Sequence, residues 1–499
     1  MKIPDYILDV LRKIEDNNFE VFLVGGCVRD LLMGKEAQDW DLTTNALPED
    51  ILKIFPEAKY ENNFGTVLLA LKDKNKKVIS VLEITTYRSE QAYTDRRHPD
   101  EVSFEKDLDK DLERRDFTIN AMALGSALKN KEIKAKSVSD LNLDLPKDWV
   151  LIDLFGGEKD IKKRMIRAVG EPSDRFKEDA LRMIRAIRFS SQLSFKIEDK
   201  TKRAILKLSG SIKFVASERI KDELIKILKS DSAYEGFMFM YETNLLRYII
   251  PELYLGEKMK QNHHHIYTVL KHSFLSLKYC PSKFWQVRFA SLLHDIGKPK
   301  SRAFKNGVAT FYNHEYIGER MVVKIMKRLK FSGADIKRVS NLVRNHMFYY
   351  NAGEVTESSV RRLIQKVGRE NLKDLIDVRI ADRLGSGTPK AKPYKIRHLE
   401  YMMEKVQNDP VSVKMLKING DDLIKKLNIS PGPKIGSILD VLLSEVILDP
   451  QKNNKEYLEK RSVELNEMDV ESFRKEAKKA IEEKREEDDQ KIKKTYWVK

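Results

Sequence analysis

The chain has 499 residues, of which 41% are hydrophobic and 34% charged, with ordinary numbers of Gly and Pro. This composition excludes a collagen, a coiled coil and a wholly disordered chain, and the length predicts several domains, each with its own core. Lys and Arg outnumber Asp and Glu by 93 to 77, a net charge of +16, which permits a nucleic acid partner without establishing one.

The sequence contains no apolar run long enough for a membrane span, and its first residues are too charged for a signal peptide. We therefore expect a cytoplasmic protein with no membrane partner. The two cysteines, Cys27 and Cys280, lie far apart in the sequence and cannot form a thiolate zinc site by themselves.

The N-terminal part predicts a small mixed sheet. FEVFLVGG (19–26) predicts a buried strand that Gly25-Gly26 stops, and VRDLLMG (28–34) predicts a helix. Two further strands are expected in GTVLLAL (65–71) and VISVLEITTYR (78–88), followed by a mobile loop over 88–104. From about Asp111 onward, including RRDFTINAMALGSAL (114–128), nearly everything predicts helix. A polar linker is expected at 385–398, and a solvated helix or a frayed end is expected at the C-terminus.

A pair of carboxylates lies in the segment DWDLTT (39–44). Asp39 and Asp41 are two residues apart, so on a strand both side chains point to the same face. Two carboxylates in this arrangement can hold Mg²⁺ ions, and paired metals stabilise both oxygens of an in-line phosphoryl displacement. Gly25-Gly26 between strand and helix, with Arg29 nearby, can receive a triphosphate.

Two further segments carry groups that suit a nucleotide. RRDFTINAM (114–122) supplies Arg114, Arg115, Asp116 and Asn120, which suit phosphate and ribose contacts. EDALRMIRAIR (178–188), taken as one helix, places Asp179 and Arg182 on the same face. A carboxylate accepts from the amino group of cytosine or adenine while a guanidinium donates to the adjacent ring nitrogen, whereas uracil and guanine present the reverse order.

Several segments together resemble the class II tRNA nucleotidyltransferases, the bacterial-type CCA-adding enzymes, which are similar to bacterial poly(A) polymerases. The segments are LVGGCVRDLL (23–32), DWDLTT, RRDFTINAM, DLFGG (153–157), EDALRMIRAIRF (178–189) and ASERI (216–220). The resemblance implies an α+β fold, in which a polymerase-beta-like head with a mixed sheet precedes a mostly helical body. INGDDLIKKLNISPGPKIGSILDVLL (418–443) is similar to the tRNA-binding region of this family.

The resemblance also implies roles for individual residues. Asp39 and Asp41 would bind catalytic Mg²⁺, and Glu83 matches a position where the superfamily often places a third carboxylate. The incoming CTP or ATP would contact the remaining predicted residues, which are Gly25, Gly26, Arg29, Arg114, Asp116, Asn120, Asp179, Arg182 and Arg185. The tRNA 3′ end would be the other substrate.

A second set of motifs resembles the HD phosphohydrolase superfamily. It comprises HHHIYTVLKHS (263–273), LLHDIGKP (292–299), NHEYIGER (313–320), RNHMF (344–348) and IADRLGSG (380–387). His272, His294, Asp295 and Asp382 would bind a divalent transition metal such as Ni, Mn or Co, and His314 and His346 match extra ligands of fuller sites. The three histidines 263–265 are interpreted as surface or auxiliary residues. Substrates implied by the resemblance are 2′,3′-cyclic phosphates or phosphate monoesters.

We therefore predict four regions: a nucleotidyltransferase head (1–157), a helical neck with the base-selecting helix (158–250), an HD domain (251–390) and a helical tRNA-binding body and tail (391–499). The predicted function is CCA addition to tRNA. Three alternatives stay open: the A-adding member of a split pair, a poly(A) polymerase, and an RNA-binding protein whose main activity is the HD domain. A CC-adding enzyme is disfavoured because the loop 88–99, which that type lacks, is present.

Overall fold

The structure is a computed structural model that divides into two compact units, Met1–Arg344 with Ala381–Gly387, and Asn345–Ile380 with Thr388–Lys499. It describes residues 3–37, 39–61, 65–72, 78–91, 101–127, 135–138, 145–261, 266–348, 350–351, 354–387, 394–407 and 413–498. Within these residues, none of the helices combines the length and the apolar character that crossing a membrane requires.

The N-terminal part of the first unit is built on a mixed sheet. The strands of this part are β1 Val21–Val24, β2 Asp41–Thr44, β3 Lys59–Tyr60, β4 Thr66–Lys72, β5 Val78–Thr86, β6 Arg88–Gln91, β7 Glu101–Phe104, β8 Ala123–Ser126, β9 Ala135–Ser137 and β10 Trp149–Ile152. Its helices are α1 Asp5–Asp16, α2 Gly26–Leu32, α3 Pro48–Ile54, α4 Leu108–Glu113 and α5 Gly157–Lys162.

Eight of these strands form one sheet in the order β3-β4-β5-β2-β1-β8-β10-β9. β2 and β5 run parallel and the other neighbouring pairs run antiparallel. β1 is buried along its whole length, as its unbroken apolar run predicts. The predicted mixed sheet is therefore confirmed.

One prediction of local structure in this part is wrong, and a second is wrong at those of its residues that the structure describes. The segment 114–128 was predicted to be helical, but Ala123–Ser126 is strand β8, which pairs with both β1 and β10. Its apolar side chains gain more from burial between two strands than their helix propensity offers. The predicted mobile loop begins and ends in an antiparallel pair, β6 with β7, whereas residues 92–100, and with them most of the loop 88–99, lie outside the described residues.

The rest of the first unit is helical with short strands, as predicted for the body. Its elements are β11 Met165–Ile166, α6 Pro172–Glu178, α7 Leu181–Leu193, β12 Lys196–Ile197, α8 Asp199–Leu208, α9 Ser217–Lys229, α10 Ala233–Glu242, α11 Leu245–Ile249, α12 Val269–Lys278, α13 Trp285–Leu293, α14 Lys298–Ser301, β13 Ala303–Lys305, β14 Val308–Thr310, α15 His314–Arg328 and α16 Gly333–Asn345.

The C-terminal helices are α17 Glu357–Val367, α18 Leu372–Gly385, α19 Tyr394–Gln407, α20 Gly420–Leu427, α21 Pro433–Leu448, α22 Lys455–Glu467 and α23 Val470–Tyr496. The second unit has its own core, in which Ile438 and Leu442 of α21 pack with Leu458 and Leu465 of α22. α21 begins at Pro433, because proline suits the first turn of a helix.

Candidate active site and a second cluster of metal ligands

A polar cavity of about 510 Å³ lies beside the head sheet. Its lining does not include Glu83, but it includes the predicted carboxylate pair and all the predicted nucleotide-binding residues, namely Asp39, Asp41, Gly25, Gly26, Arg29, Arg114, Asp116, Asn120, Asp179, Arg182 and Arg185. Residues from four separate segments thus meet at one place. Arg115 also lines the cavity, together with residues that the sequence analysis did not assign, which are Asp30, Arg188, Phe189, Arg219 and Lys226.

Carboxylates converge at one side of this cavity. Asp41 is the first residue of β2, so Asp39 precedes the strand instead of lying within it, and the strand geometry assumed for the pair holds only for Asp41. Both residues nevertheless line the cavity. Glu83 of β5 lies directly opposite Asp41 in the parallel pairing of β2 with β5, which places a third carboxylate beside the first two.

The carboxylates affect one another electrostatically. Burial raises the pKa of Asp41, Arg115 lowers it and Asp39 raises it again. The pKa of Glu83 is raised by burial and then by Asp41, Glu61 and Asp39. A bound divalent cation would relieve this repulsion, and oxygen donors are the ligands that hard cations prefer. The residues present therefore fit a divalent metal.

Gly25 allows the turn after β1 to approach these groups. Its φ of 75° lies in the left-handed region, and a Cβ at this position would lie 3.3 Å from Asp41 Oδ2 and 3.3 Å from Arg115 Nη1. Both the conformation and the close approach favour glycine. The Gly-Gly turn is thus a wall of the cavity as well as a connection between β1 and α2.

A network of hydrogen bonds fixes the arginines on the floor of the cavity. Arg29 Nη1 donates to Asn120 Oδ1 at 2.9 Å, and Asn120 Nδ2 lies 3.4 Å from Asp116 Oδ1. Asp116 Oδ2 accepts from Arg185 Nε at 2.7 Å and Nη2 at 2.6 Å. Burial raises the pKa of Asp116, but Arg185 and Arg182 outweigh burial and lower it. Asp116 and Asn120 thus hold Arg185 and Arg29 in place.

The predicted base-selecting pair is arranged differently from the prediction. Asp179 lies between α6 and α7, with φ of −137°, so 178–188 is not one continuous helix. Its Oδ1 accepts from the backbone N–H of Leu181 at 2.9 Å, and its Oδ2 accepts from Arg219 Nη2 at 2.7 Å. The side-chain contact with the start of α7 competes with helical hydrogen bonding, which explains the break.

Arg182, the other member of the predicted pair, contacts different groups. Its Nη1 donates to Glu178 Oε2 at 2.6 Å and its Nη2 donates to the carbonyl oxygen of Arg114 at 3.0 Å. Asp179 and Arg182 both line the cavity, but each is held by a partner of its own. Their reading of a base edge stays a prediction.

The residues that sequence reasoning missed are three cations, the carboxylate of Asp30 and the ring of Phe189. Arg219 belongs to the ASERI segment, which had been noted without a contact for its arginine. Arg188 Nε pairs with Glu223 Oε2 at 2.7 Å, and its guanidinium lies 3.8 Å from the centroid of the Phe189 ring. Burial lowers the pKa of Arg188 to about 10 although Glu223 opposes this. The repeated Arg-x-x-Arg spacing of α7 was the available signal.

A second cluster lies in the helical body of the first unit. His272 comes from α12, His294 and Asp295 directly follow α13, and Asp382 comes from α18. His272 Nε2 lies 3.0 Å from His294 Nε2, 3.3 Å from Asp295 Oδ2 and 3.2 Å from Asp382 Oδ1. His294 Nε2 lies 3.3 Å from Asp295 Oδ2. Four donor atoms from three segments thus converge.

The geometry of this cluster fits a metal ion. His294 Nδ1 contacts the carbonyl oxygen of Ser291 at 2.8 Å, a second contact that orients the ring and leaves Nε2 facing the cluster. Burial lowers the pKa of His294, but Asp295 and Asp382 outweigh burial and raise it to about 10. The two carboxylates therefore create a strong preference for positive charge among buried imidazoles.

Other predicted residues of this region lie in different places. His314, the first residue of α15, has Nε2 3.3 Å from Asp295 Oδ1, so it belongs with the cluster. His346 is buried and lies in the second unit. Histidines 263–265 lie outside the described residues. Lys298, which the sequence analysis did not single out, places Nζ 2.6 Å from Asp295 Oδ2.

Comparison with known proteins agrees with this picture. Residues 21–167 match the Poly A polymerase head domain, residues 194–255 match the RNA- and SrmB-binding site of polymerase A, and residues 308–461 match tRNA nucleotidyltransferase domain 2. The head cavity therefore belongs to an enzyme of the nucleotidyltransferase class.

Relatives over nearly the whole length narrow this class. The chain is 32% identical to a CCA-adding enzyme of Ligilactobacillus salivarius, covering 94% of this chain and 99% of the relative, and 31% identical to one of Enterococcus faecalis, covering 90% and 93%. A crystal structure of the Bacillus stearothermophilus CCA-adding enzyme in complex with CTP is similar with a TM-score of 0.57 and 25% identity, covering 93% of this chain and 98% of that one. The chain belongs to the CCA-adding enzyme family.

Proposed function

We propose that this protein adds C and A from CTP and ATP to the 3′ end of tRNA without a nucleic acid template. The observation that carries the proposal is the single cavity in which metal-binding carboxylates, eight cationic side chains and the Asp179–Arg182 segment meet. The family supports it, since the relatives are CCA-adding enzymes. A cytoplasmic location accompanies this function.

Asp39, Asp41 and, beside them, Glu83 would hold the divalent cation, which we take to be Mg²⁺. When bound, this ion stabilises negative charge on the reacting phosphate and favours ionisation of the attacking hydroxyl. Arg29, Arg114 and Arg115 suit the triphosphate because guanidinium groups donate to phosphate oxygens in pairs.

The base would be read by Asp179 and Arg182. A carboxylate accepts from N4 of cytosine or N6 of adenine, and a guanidinium donates to the neighbouring ring nitrogen. Uracil and guanine would leave like groups facing one another, at a cost of about 1–3 kcal/mol for each unsatisfied group. Arg219 donates to the same Asp179 carboxylate that would accept from the base. Arg219 therefore positions Asp179 and limits the other donors from which this carboxylate can accept.

An extension assay with three tRNA transcripts tests this function. The transcripts end before CCA, after C and after CC, and each receives each of the four nucleotides separately with Mg²⁺. We expect CTP alone to extend the first two and ATP alone to extend the third. Extension of the third transcript only would indicate the A-adding member of a split pair. No extension of any transcript would refute the proposal.

A second function is proposed for the His–Asp cluster. Two imidazole nitrogens lie 3.0 Å apart, and each lies 3.2–3.6 Å from one oxygen of Asp295 and one of Asp382, which favours a divalent transition metal such as Ni, Mn or Co. We infer hydrolysis of a 2′,3′-cyclic phosphate or a phosphomonoester there, which would suit trimming of damaged RNA ends. His314 is a candidate for a further ligand.

The four predicted regions form part of the same proposal. The head (1–157) would carry the chemistry, the neck (158–250) the base selection and 251–390 the metal-dependent hydrolase. The remainder (391–499) would bind tRNA, with the start of α21 after Pro431-Gly432 contacting phosphate. Each assignment predicts that a substitution within a region alters the step assigned to that region: addition chemistry, base selection, hydrolysis or tRNA binding.

A further inference from the structure

A small β hairpin follows the His–Asp cluster in the chain. β13 and β14 pair antiparallel, with Phe304 opposite Ala309 and Lys305 opposite Val308. Asn306 and Gly307 connect them with φ of 51° and 76°, and positive φ at both positions is typical of the tight type I′ turn. Residues 302–312 form this aromatic hairpin.

The aromatic hairpin is exposed on both faces. All residues from Arg302 to Val308 are exposed, and the exposed fraction is 65% for Phe304 and 72% for Tyr312. A two-stranded hairpin gains little stability by itself in water, and two large aromatic rings at its surface gain nothing from the core. Their exposure therefore favours a role in contact with a ligand.

The charge of this segment is entirely positive. Residues 296–313 contain Lys298, Lys300, Arg302 and Lys305 and no Asp or Glu. The Arg302 guanidinium lies 4.9 Å from the centroid of the Phe304 ring. Aromatic rings on which bases stack, interleaved with cations that track phosphates, are the combination that binds single-stranded nucleic acid.

The two ends of this segment are fixed beside the cluster. Before the hairpin, Lys298 Nζ lies 2.6 Å from Asp295 Oδ2. After it, His314 Nε2 lies 3.3 Å from Asp295 Oδ1. Gly297 packs against the backbone of His314 so closely that a Cβ would lie 2.0 Å from its carbonyl oxygen. A ligand on the hairpin is therefore held near the His–Asp cluster.

We propose that the aromatic hairpin binds single-stranded RNA. Bases stack on Phe304 and Tyr312 while Lys300, Arg302 and Lys305 contact phosphates, which brings an RNA 3′ end to the cluster. The stacking stands on the hairpin alone, whereas delivery of the 3′ end rests on the proposed hydrolase function. The sequence of the RNA is not read, because stacking accepts every base.

Fluorescence anisotropy tests the stacking. The probes are a short oligoadenylate with a 3′-phosphate and an abasic oligomer of the same length, both in EDTA so that metal binding plays no part. The double variant Phe304→Ala/Tyr312→Ala is compared with Phe284→Ala. Phe284 is 59% exposed and lies 5.2 Å from the Arg338 guanidinium, so it is a matched aromatic–cation pair in another place.

We expect the double variant to weaken binding of the oligoadenylate by about fivefold or more and to leave the abasic oligomer unchanged. Phe284→Ala should leave both unchanged. Equal weakening of both probes, or no weakening of either, overturns the proposal. A lower molecular mass in light scattering with unchanged RNA affinity also overturns it, because the surface would then join two copies of the chain.

A separate measurement tests RNA binding by the aromatic hairpin independently of the proposed hydrolase activity of the His–Asp cluster. Release of phosphate from the same oligoadenylate is followed in the parent protein with Mn²⁺. If the double variant loses stacking and the parent protein releases no phosphate, RNA binding by the hairpin is supported and the hydrolase function is refuted. Phosphate release that is equally fast in the parent and the double variant, at an oligomer concentration below saturation, refutes delivery by the hairpin.

Discussion

Asp111 offers a quantitative test of how the cavity is built. It lies in α4 and is fully buried. Its Oδ1 accepts from Arg114 Nη2 at 2.7 Å and its Oδ2 accepts from Arg115 Nη2 at 2.9 Å. Both arginines line the cavity, whereas Asp111 does not. Asp111 therefore positions two cations that we assign to the triphosphate.

The pKa of Asp111 gives the magnitude. Burial raises this pKa, but Arg114 and Arg115 outweigh burial and lower it from 3.8 to about 2. One decade in protonation is worth about 1.4 kcal/mol, so the ionised carboxylate stabilises the fold by roughly 2 kcal/mol at neutral pH. Since the folded-state pKa is lowered, this stabilisation is present above pH 4 and is lost as pH falls toward 2.

The variant Asp111→Asn should therefore lose roughly 2 kcal/mol of local stability at pH 7. It should also raise KM for CTP more than it lowers kcat, because the two arginines lose their anchor. Hydrogen exchange of the β1 and β8 amides measures the stability, and steady-state addition to tRNA measures the kinetics. Asp109→Asn is the control, since Asp109 lies exposed on the same helix.

Two results would refute this reasoning. Stability of Asp111→Asn equal to that of Asp109→Asn would show that the buried ion pairs contribute nothing measurable. An unchanged KM together with the predicted loss of stability would show that Arg114 and Arg115 are structural and do not bind the nucleotide.

Three further predictions concern the two sites. Asp41→Ala should abolish nucleotide addition, whereas tRNA binding, measured by filter retention, should survive. The reason is that this carboxylate serves metal chemistry, while Lys and Arg side chains serve tRNA affinity. Substantial addition in Mg²⁺ would exclude the assignment. Asp179→Ala should relax refusal of UTP or GTP in single-nucleotide extension, and unchanged discrimination would place base selection elsewhere. The double variant His294→Ala/Asp295→Ala should lose hydrolysis of 2′,3′-cyclic nucleotides or phosphomonoesters with Ni²⁺, Mn²⁺ or Co²⁺. It should retain C and A addition near the parent rate. Loss of nucleotide addition in a folded variant would show that the two sites are coupled.

Sequence patterns predicted correctly those site residues that lie next to a recognisable strand or within a motif. The Gly25-Gly26 turn lies at the end of the apolar strand β1, which periodicity identifies directly, and the Asp39–Asp41 pair lies at the start of β2. The cavity collects both because β1 and β2 are neighbours in the sheet. The convergence of His272, on α12, with the other cluster residues likewise followed from motifs in chain order.

The errors arose where tertiary contacts override local preference. Ala123 and Leu124 have high helix propensity, but the segment Ala123–Ser126 fills the sheet between β1 and β10. Asp179 interrupts a helical pattern because Leu181 N–H and Arg219 bind its carboxylate. Arg219 is forty residues from Asp179 in sequence, and helical spacing cannot predict such a long-range ion pair.

We propose that one cavity in this protein adds both C and A to tRNA and stops after CCA. Mass spectrometry of tRNA that lacks CCA, incubated with the protein, CTP, ATP and Mg²⁺ and with no other nucleic acid, tests this most directly. We predict a single product heavier by two cytidylates and one adenylate. An unchanged mass, or a ladder of adenylates of indefinite length, would contradict the claim.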